Sequence, residues 1–378
     1  MNTLEKLQLL GESAKYDSCA SSASKRKVTT NDRIGNAALG GICHTFTQDG
    51  RCVSLFKTLL TNECKFDCKY CPNPCATRKA MFEPDELAKT FMSLYVRNYV
   101  EGLFLSSGIA KDPNYTTEKM LETVNLIRTK YKFHGYIHFK ILPGTSYELI
   151  KQAADFADRL SINIEVPNKS RMSEVSSVKD FKTDILRRQA WIKHIVQKSK
   201  VAAGQTTQLV VGGSDETDLE ILKMMDWEYK NMDLKRGYYS AFTPIEGTAF
   251  EARQRQPLLR EHRLYNLDFM LRNYKIKLND FEAIMQDGML PLNEDPKVLM
   301  ARATFEKPVD INTAAYTDLM RIPGIGPMTA KRIRGMQNRK LKIVNYRQLH
   351  NMGVVLKRAK PFIEIEGKSQ AMLKRWLN

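Results

Sequence analysis

Hydrophobic and polar positions along residues 52–243 follow two alternating rhythms. Short runs of aliphatic, β-branched and aromatic residues at 53–60, 102–107, 136–142, 160–166, 207–212 and 238–243 read as strands. Between them, apolar residues spaced three and four apart predict amphipathic helices over 84–99, 117–131, 147–157, 179–197 and 216–229. Strand-then-helix units without hairpin signals between them imply parallel strands joined by right-handed crossovers, hence an α/β barrel or open sheet. Gly, Ser or Asn follows several of these runs, at the strand end where such folds keep their chemistry.

The flanks differ. The first 45 residues are rich in Ser, Ala, Thr and Gly and show no sustained period, so they read as an irregular lead-in. Residues 257–300 look helical and then pass through the turn-rich stretch PLNEDP, the expected domain boundary. The chain therefore divides into a lead-in (1–45), a barrel (46–256), a helical extension and linker (257–305) and a C-terminal domain (306–378). No apolar run approaches the roughly 18 to 20 residues of a membrane span, and the N-terminus is polar rather than signal-like. A cytoplasmic protein without membrane attachment is expected.

Charge sharpens the division. The 378-residue chain carries a net +17, and residues 306–378 hold 15 Lys or Arg against 5 Asp or Glu, a surplus of +10. Such a concentration favours a polyanionic partner, nucleic acid above all.

Four of the seven cysteines crowd into residues 64–75. An odd number in a chain this long points away from a disulfide framework and toward metal binding. Cys64, Cys68 and Cys71 stand in a C-x3-C-x2-C spacing directly after the first expected strand. Three thiolates on one short loop can bind three irons of a cubane and leave the fourth open to a substrate. A structural zinc site would want a second cysteine pair, which the sequence lacks. Cys75 extends the run to a possible fourth thiolate, and a closed electron-transfer cluster stays open as a reading if Pro72 and Pro74 turn the chain back. Cys19, Cys43 and Cys52 read as ordinary thiols.

This spacing, with Tyr70 before the third cysteine, resembles the radical S-adenosylmethionine superfamily. The resemblance implies a partial (β/α)6 TIM-type barrel and a [4Fe–4S] cluster on Cys64, Cys68 and Cys71. It also implies S-adenosylmethionine on the open iron, cleaved to a 5′-deoxyadenosyl radical, with a flavodoxin or ferredoxin as electron donor. It places Tyr70, Ser106, Ser107, Gly108, Asn163, Glu165, Gly212 and Gly213 at the cofactor: the serines and Gly108 at the methionine amino group, Asn163 and Glu165 at the ribose, and the glycine pair beside the adenine. The acidic residue usual after the second strand is absent. His138 and Lys140 alternate onto one face of the third strand and could face the barrel.

Within the basic C-terminal stretch, two short helices are joined by Pro323-Gly324-Ile325-Gly326, with Asn312 or Thr313 as N-cap of the first. This resembles a helix-hairpin-helix module. The resemblance implies a small all-α domain whose turn (Gly324, Ile325, Gly326) presents backbone amides to a phosphate, with Lys331, Arg332 and Arg334 adding charge. A weaker second copy is centred on Gly353. The order of barrel and hairpins is similar to a bacterial family of radical proteins assigned to DNA repair or modification and linked to uracil-DNA-glycosylase-like partners. The expected function is therefore a radical enzyme acting on nucleic acid, DNA in preference to RNA. The alternatives are a non-catalytic iron–sulfur DNA-binding protein and an RNA-modifying radical enzyme.

Overall fold

The structure is a computed structural model that describes residues 1–16, 41–46, 52–199 and 201–369. It divides into two compact units, one of Met1–Glu216 with Trp227–Glu261 and one of Thr217–Asp226 with His262–Asn378.

The first unit is built on a seven-stranded sheet in sequential order: β1 (Ile42–Phe46), β2 (Cys52–Leu59), β3 (Gly102–Ser106), β4 (Tyr136–Lys140), β5 (Arg159–Ser161), β6 (Gln205–Val211) and β7 (Leu234–Ala241). β1 pairs antiparallel with β2, and every later neighbour pairs parallel. Its helices are α1 (Thr3–Ser13), α2 (Pro84–Val96), α3 (Pro113–Thr129), α4 (Tyr147–Phe156), α5 (Lys169–Val175) and α6 (Arg187–Val196), while the residues of α7 (Asp218–Asn231) and α8 (Leu258–Phe269) are divided between the two units. The result is the expected α/β fold, a curled parallel half-barrel. Both faces of its strands are covered, so β3 is buried at every position, and Phe56, Leu103, Leu105 and Phe139 fill the layer beneath the helices.

Local chemistry fixes the helix starts. Asp112 accepts from the Tyr115 amide ahead of Pro113, and Asn168 accepts from the Arg171 amide ahead of α5.

Three features depart from the expectations. The stretch expected to be irregular carries α1, opened by a capping box of Asn2 and Glu5, and ends in β1; Cys19 lies outside the described residues. β5 spans only three residues. Beyond it Glu165 returns to β6 through Glu165 N to Gln208 O (3.0 Å) and Val210 N to Glu165 O (2.8 Å). The helix expected over 179–197 begins as a π-helical segment, Phe181–Leu186, before becoming α6.

The second unit contains α9 (Leu278–Glu282), α10 (Pro296–Thr304), α11 (Tyr316–Arg321), α12 (Pro327–Asn338), α13 (Tyr346–Asn351) and α14 (Leu356–Ala359). A short sheet of β8 (Val309–Asp310), β9 (Ile363–Ile365) and β10 (Lys368–Ser369) adds to the expected helical domain. Its core gathers Ile311, Leu319, Ile325, Ile333, Leu349 and Phe362. Both hairpins form, α11 with α12 and α13 with α14, and Gly353 in the second turn has φ of 93°. The N-cap of α11 is Ala315, not Asn312 or Thr313. Asn312 instead mimics a peptide group, accepting from Ile343 N at 2.7 Å and donating to Ile343 O at 3.0 Å.

Candidate functional site

A cavity of about 580 Å³ opens at the C-terminal ends of the parallel strands. Its wall takes Leu59 from β2, Ser106 from β3, Lys140 from β4, Asn163 from just past β5, Gln208 from β6 and Ser240 from β7. The cysteine loop leaves β2 and joins this wall with Cys64, Cys68, Tyr70 and Cys71. Cys75 is exposed and is not part of the wall.

The loop is fixed at its base and along its length. Asn62 donates to Arg78 O (2.9 Å) and accepts from Ala80 N (2.8 Å), while Thr61 Oγ1 donates to Ala80 O (2.7 Å). Inside the triad, the Asp67 carboxylate accepts from Ser176 Oγ (2.5 Å), Ser177 N (2.9 Å) and Ser177 Oγ (2.5 Å). Burial would raise Asp67, but these bonds outweigh it and hold the carboxyl down at about 2. Lys69 adds N to Val175 O (2.9 Å) and Nζ to Glu174 O (2.8 Å). The triad thus sits on the segment after α5.

Electrostatics around the thiols are strong. Burial is the first cause that pushes the Cys68 and Cys71 thiols up, Cys71 to about 12, and the neighbouring Cys68 adds to it there. Lys179 opposes the rise at Cys68. Burial alone would lower Lys179, yet the charges of Cys68 and Glu165 outweigh it and hold it above its ordinary value; its ammonium lies 3.7 Å from Glu165. The Tyr70 phenol, buried and bonded to Glu165, is pushed well up. Glu165 itself sits at φ 63°, a left-handed conformation that non-glycine residues seldom adopt and that concentrates at functional sites.

Among the described residues no three His, Cys, Asp or Glu side chains converge on a ready-made metal position. The three thiols nevertheless share one loop and one cavity wall. The donor set fits a cluster in chemistry: burial pushes the Cys68 and Cys71 thiols up, so both ionise together only against a compensating cation. Three thiolates, with Cys75 turned away, match a cluster with one open iron.

Ser106, Ser107 and Gly108 lie on the cavity wall. A Cβ on Gly108 would stand 2.4 Å from Glu63 O, so only glycine lets the β3 end approach the cysteine loop. The Ser107 hydroxyl is buried and has no hydrogen-bond partner among the described residues, which suits a group that meets a ligand. Asn163, Glu165 and Tyr70 also face the cavity. Gly212 and Gly213 do not line it. A Cβ on Gly212 would strike Gln256 at 2.0 Å, and its amide donates to Glu216 Oε1 at 2.5 Å, so the pair shapes a turn held by a buried carboxylate. His138 faces inward below the cavity, bonded to Ser161 Oγ at 2.7 Å, and burial holds its pKa well below the usual value.

Lys179, Gln208, Ser240 and the Phe242–Ile245 wall were not singled out by sequence. Only Asp67, an acid inside the triad, left a readable signal.

In the second unit, Gly324 has φ of 85°, and a Cβ there would stand 2.5 Å from Val355 O, in the second hairpin. Gly326 caps α12 with no side-chain hydrogen bond, leaving the first-turn amides without intrahelical partners. The Ile325 side chain is 1% exposed, so that residue contributes backbone alone. Lys331 and Arg332 are exposed; Arg332 braces Met352 O at 2.9 Å, and Arg334, half-buried, donates to Gln337.

Comparison with known proteins bears on both units. The Radical SAM superfamily matches over residues 58–227, and a helix-hairpin-helix motif over residues 305–355. No curated protein sequence matches the chain. Among solved structures, HydG, a maturase of the [FeFe]-hydrogenase, matches at 10% identity with TM-score 0.46, covering 56% of this chain and 48% of its own. Methylornithine synthase (PylB) matches at 14% identity with TM-score 0.43, covering 55% of this chain and 60% of its own. The radical S-adenosylmethionine methyltransferase TsrM from Kitasatospora setae matches at 12% identity with TM-score 0.41, covering 54% and 38%. The chain thus spans between about two-fifths and three-fifths of these proteins' lengths. Among the described residues no helix is long and apolar enough to cross a membrane. Residues 58–227 thus match the Radical SAM superfamily, and a helix-hairpin-helix motif follows at 305–355.

Proposed function

We propose that Cys64, Cys68 and Cys71 hold a [4Fe–4S] cluster that takes S-adenosylmethionine, and that the enzyme acts on nucleic acid docked by residues 306–378. The reading rests above all on one observation, that three thiols and the ends of six parallel strands, five of them with polar residues, share a single cavity. When bound, cluster and S-adenosylmethionine supply reductive cleavage to a 5′-deoxyadenosyl radical, using an electron from a flavodoxin- or ferredoxin-type donor.

The chain's own residues have the remaining tasks. The β3 end, Ser106 to Gly108, offers the unpartnered Ser107 hydroxyl and backbone groups to the amino-acid end of the ligand. Asn163 and Glu165 offer polar groups to its ribose. Phe66, Leu142, Phe242 and Ile245 line the wall and exclude water. Lys179 keeps the Glu165 carboxylate and the thiol side of the cavity neutralised.

Docking is supported by the +10 surplus of residues 306–378 and the uncapped amides of α12. Phosphate contacts of this kind carry no base identity, so DNA is preferred over RNA on the strength of the hairpin motif alone. Repair or modification of a nucleotide is the reaction class this arrangement serves.

Anaerobic reconstitution tests the reading. Iron and sulfide counts near four per chain, and an electron paramagnetic resonance signal perturbed by S-adenosylmethionine, are expected for an open [4Fe–4S] cluster. An intact cluster that yields no 5′-deoxyadenosine on reduction would sink the radical reading. Binding to duplex DNA and to structured RNA at two salt concentrations tests the target. Affinity indifferent to salt would end the docking assignment.

A further inference from the structure

The helical extension ahead of the hairpins holds a buried lysine that the proposed function leaves unused. Lys297, in the first turn of α10, is 7% exposed. Its ammonium donates to Ile325 O at 2.5 Å, in the turn joining α11 to α12, and stands 4.4 Å from the centroid of the Tyr274 ring. Two residues earlier, Asp295 caps α10 through Lys297 N (3.0 Å) and pairs with Arg358 of α14 at 2.8 Å. This one turn of chain therefore reaches both hairpins.

Burying an ammonium works against folding unless partners repay its lost hydration. Here one carbonyl and one aromatic face replace it. Burial first, and then the like charge of Arg358, lower Lys297 to about 7, with Asp295 opposing. The folded value lies below the ordinary 10.5, so the lysine weakens the fold progressively as pH falls from 10.5 to about 7. Burial pushes the Tyr274 phenol above its ordinary value. A methionine would fill the same space without the penalty. The charge thus acts against the fold, beneath a turn whose first amides lack intrahelical partners.

We infer that Lys297 is the buried cation of the phosphate-binding turn: its ammonium, seated on the Ile325 carbonyl, strengthens binding of a nucleic-acid phosphate at the α12 N-terminus, and does so only while protonated. The inference rests on the docking reading above. Lys297 is a positioning and electrostatic residue, since Ile325 stands between it and the ligand.

Anisotropy of the full chain with a short labelled DNA duplex, from about pH 6 to about pH 9, provides the test. Wild-type affinity falls as pH rises through about 7, by about tenfold if phosphate lifts the lysine by one pKa unit. Lys297→Met binds more weakly at low pH and loses this decline, yet its thermal midpoint at neutral pH is unchanged or higher; a lysine with only a structural role would lower that midpoint. Lys297→Arg, charged throughout, keeps the affinity and also loses the decline. The three chains differ at residue 297 alone, so the comparison isolates Lys297. Calorimetry on the wild type in buffers of different ionisation enthalpy reads proton uptake on binding, and needs no variant. Absent uptake, or Lys297→Met matching the wild type at low pH while Gly324→Val abolishes binding, overturns this inference and leaves docking standing. A wild-type chain that does not bind DNA overturns both.

Discussion

The cavity and the hairpins reach their forms by opposite routes. The cavity wall draws on residues as distant as Leu59 and Ile245, and its cysteine loop is held from across the chain by Ser176 and Ser177 on Asp67. The first hairpin is contiguous from α11 to α12, and its open groups are backbone amides. Chemistry in the cavity therefore hangs on single side chains mounted on a sheet that does not need them. In the hairpin no side-chain deletion removes the donors, and the turn itself has to be broken.

The largest expected effect follows directly. Replacing Cys64, Cys68 or Cys71 with Ala abolishes the cluster and its absorbance, while the far-ultraviolet circular dichroism stays unchanged. Replacing Cys75, exposed and away from the wall, leaves cluster and absorbance intact. A cluster lost with Cys75 would mean a closed four-thiolate site, and the contrast between an open cavity and a passive fold would collapse. Next comes the hairpin. Gly324→Val adds both a strained positive φ and a Cβ 2.5 Å from Val355 O, a cost of about 1–3 kcal/mol or more at the turn. Duplex affinity should drop at least tenfold while iron content holds.

The two regions were also unequally legible. The six strands show in sequence because both faces of a parallel strand are apolar, and the hairpin shows because Gly324 and Gly326 stand in one short run. The triad shows for the same reason. What sequence hides is convergence. Lys179 and Glu165 are 14 residues apart on either side of α5, yet they meet at 3.7 Å, and nothing local announces the left-handed turn at Glu165. Gly212 and Gly213 mislead in the opposite sense: they form a true turn, but Glu216 and Gln256 occupy its open side. Asn312 misleads too, because a good capping residue serves equally as a peptide mimic for Ile343. β1 and α1 escape because their apolar positions are too few to set a period.

Asp67 probes how far the cavity depends on its distant support. Asp67→Ala removes the bonds to Ser176 and Ser177; at a half-buried carboxylate their loss is worth about 1–2 kcal/mol. The cluster should still assemble but release iron to a chelator several-fold faster, and Asp67→Asn should fall between. Because the carboxyl is held at about 2, below its ordinary 3.8, the anchorage is present above about pH 4 and is lost as pH falls toward 2. Limited proteolysis of the cluster-free chain across that range should show the loop opening with acid, and a pH-independent pattern would remove Asp67 from the account.

The smallest effects lie in the hairpin's side chains, as a backbone-based site requires. Lys331→Ala removes an exposed charge beside the α12 N-terminus and should lower the slope of log affinity against log salt by about 1, with a few-fold loss of affinity for every duplex sequence alike. Arg332→Ala should match that slope change and add a slight loss of hairpin stability, since its guanidinium also supports Met352 O at 2.9 Å. Arg334→Ala should alter the slope least, because that side chain is half-buried and bonded to Gln337. The ranking matters more than the size. If any one of these three costs as much as breaking the Gly324 turn, the phosphate is held by a side chain after all, and the hairpin works as the cavity does.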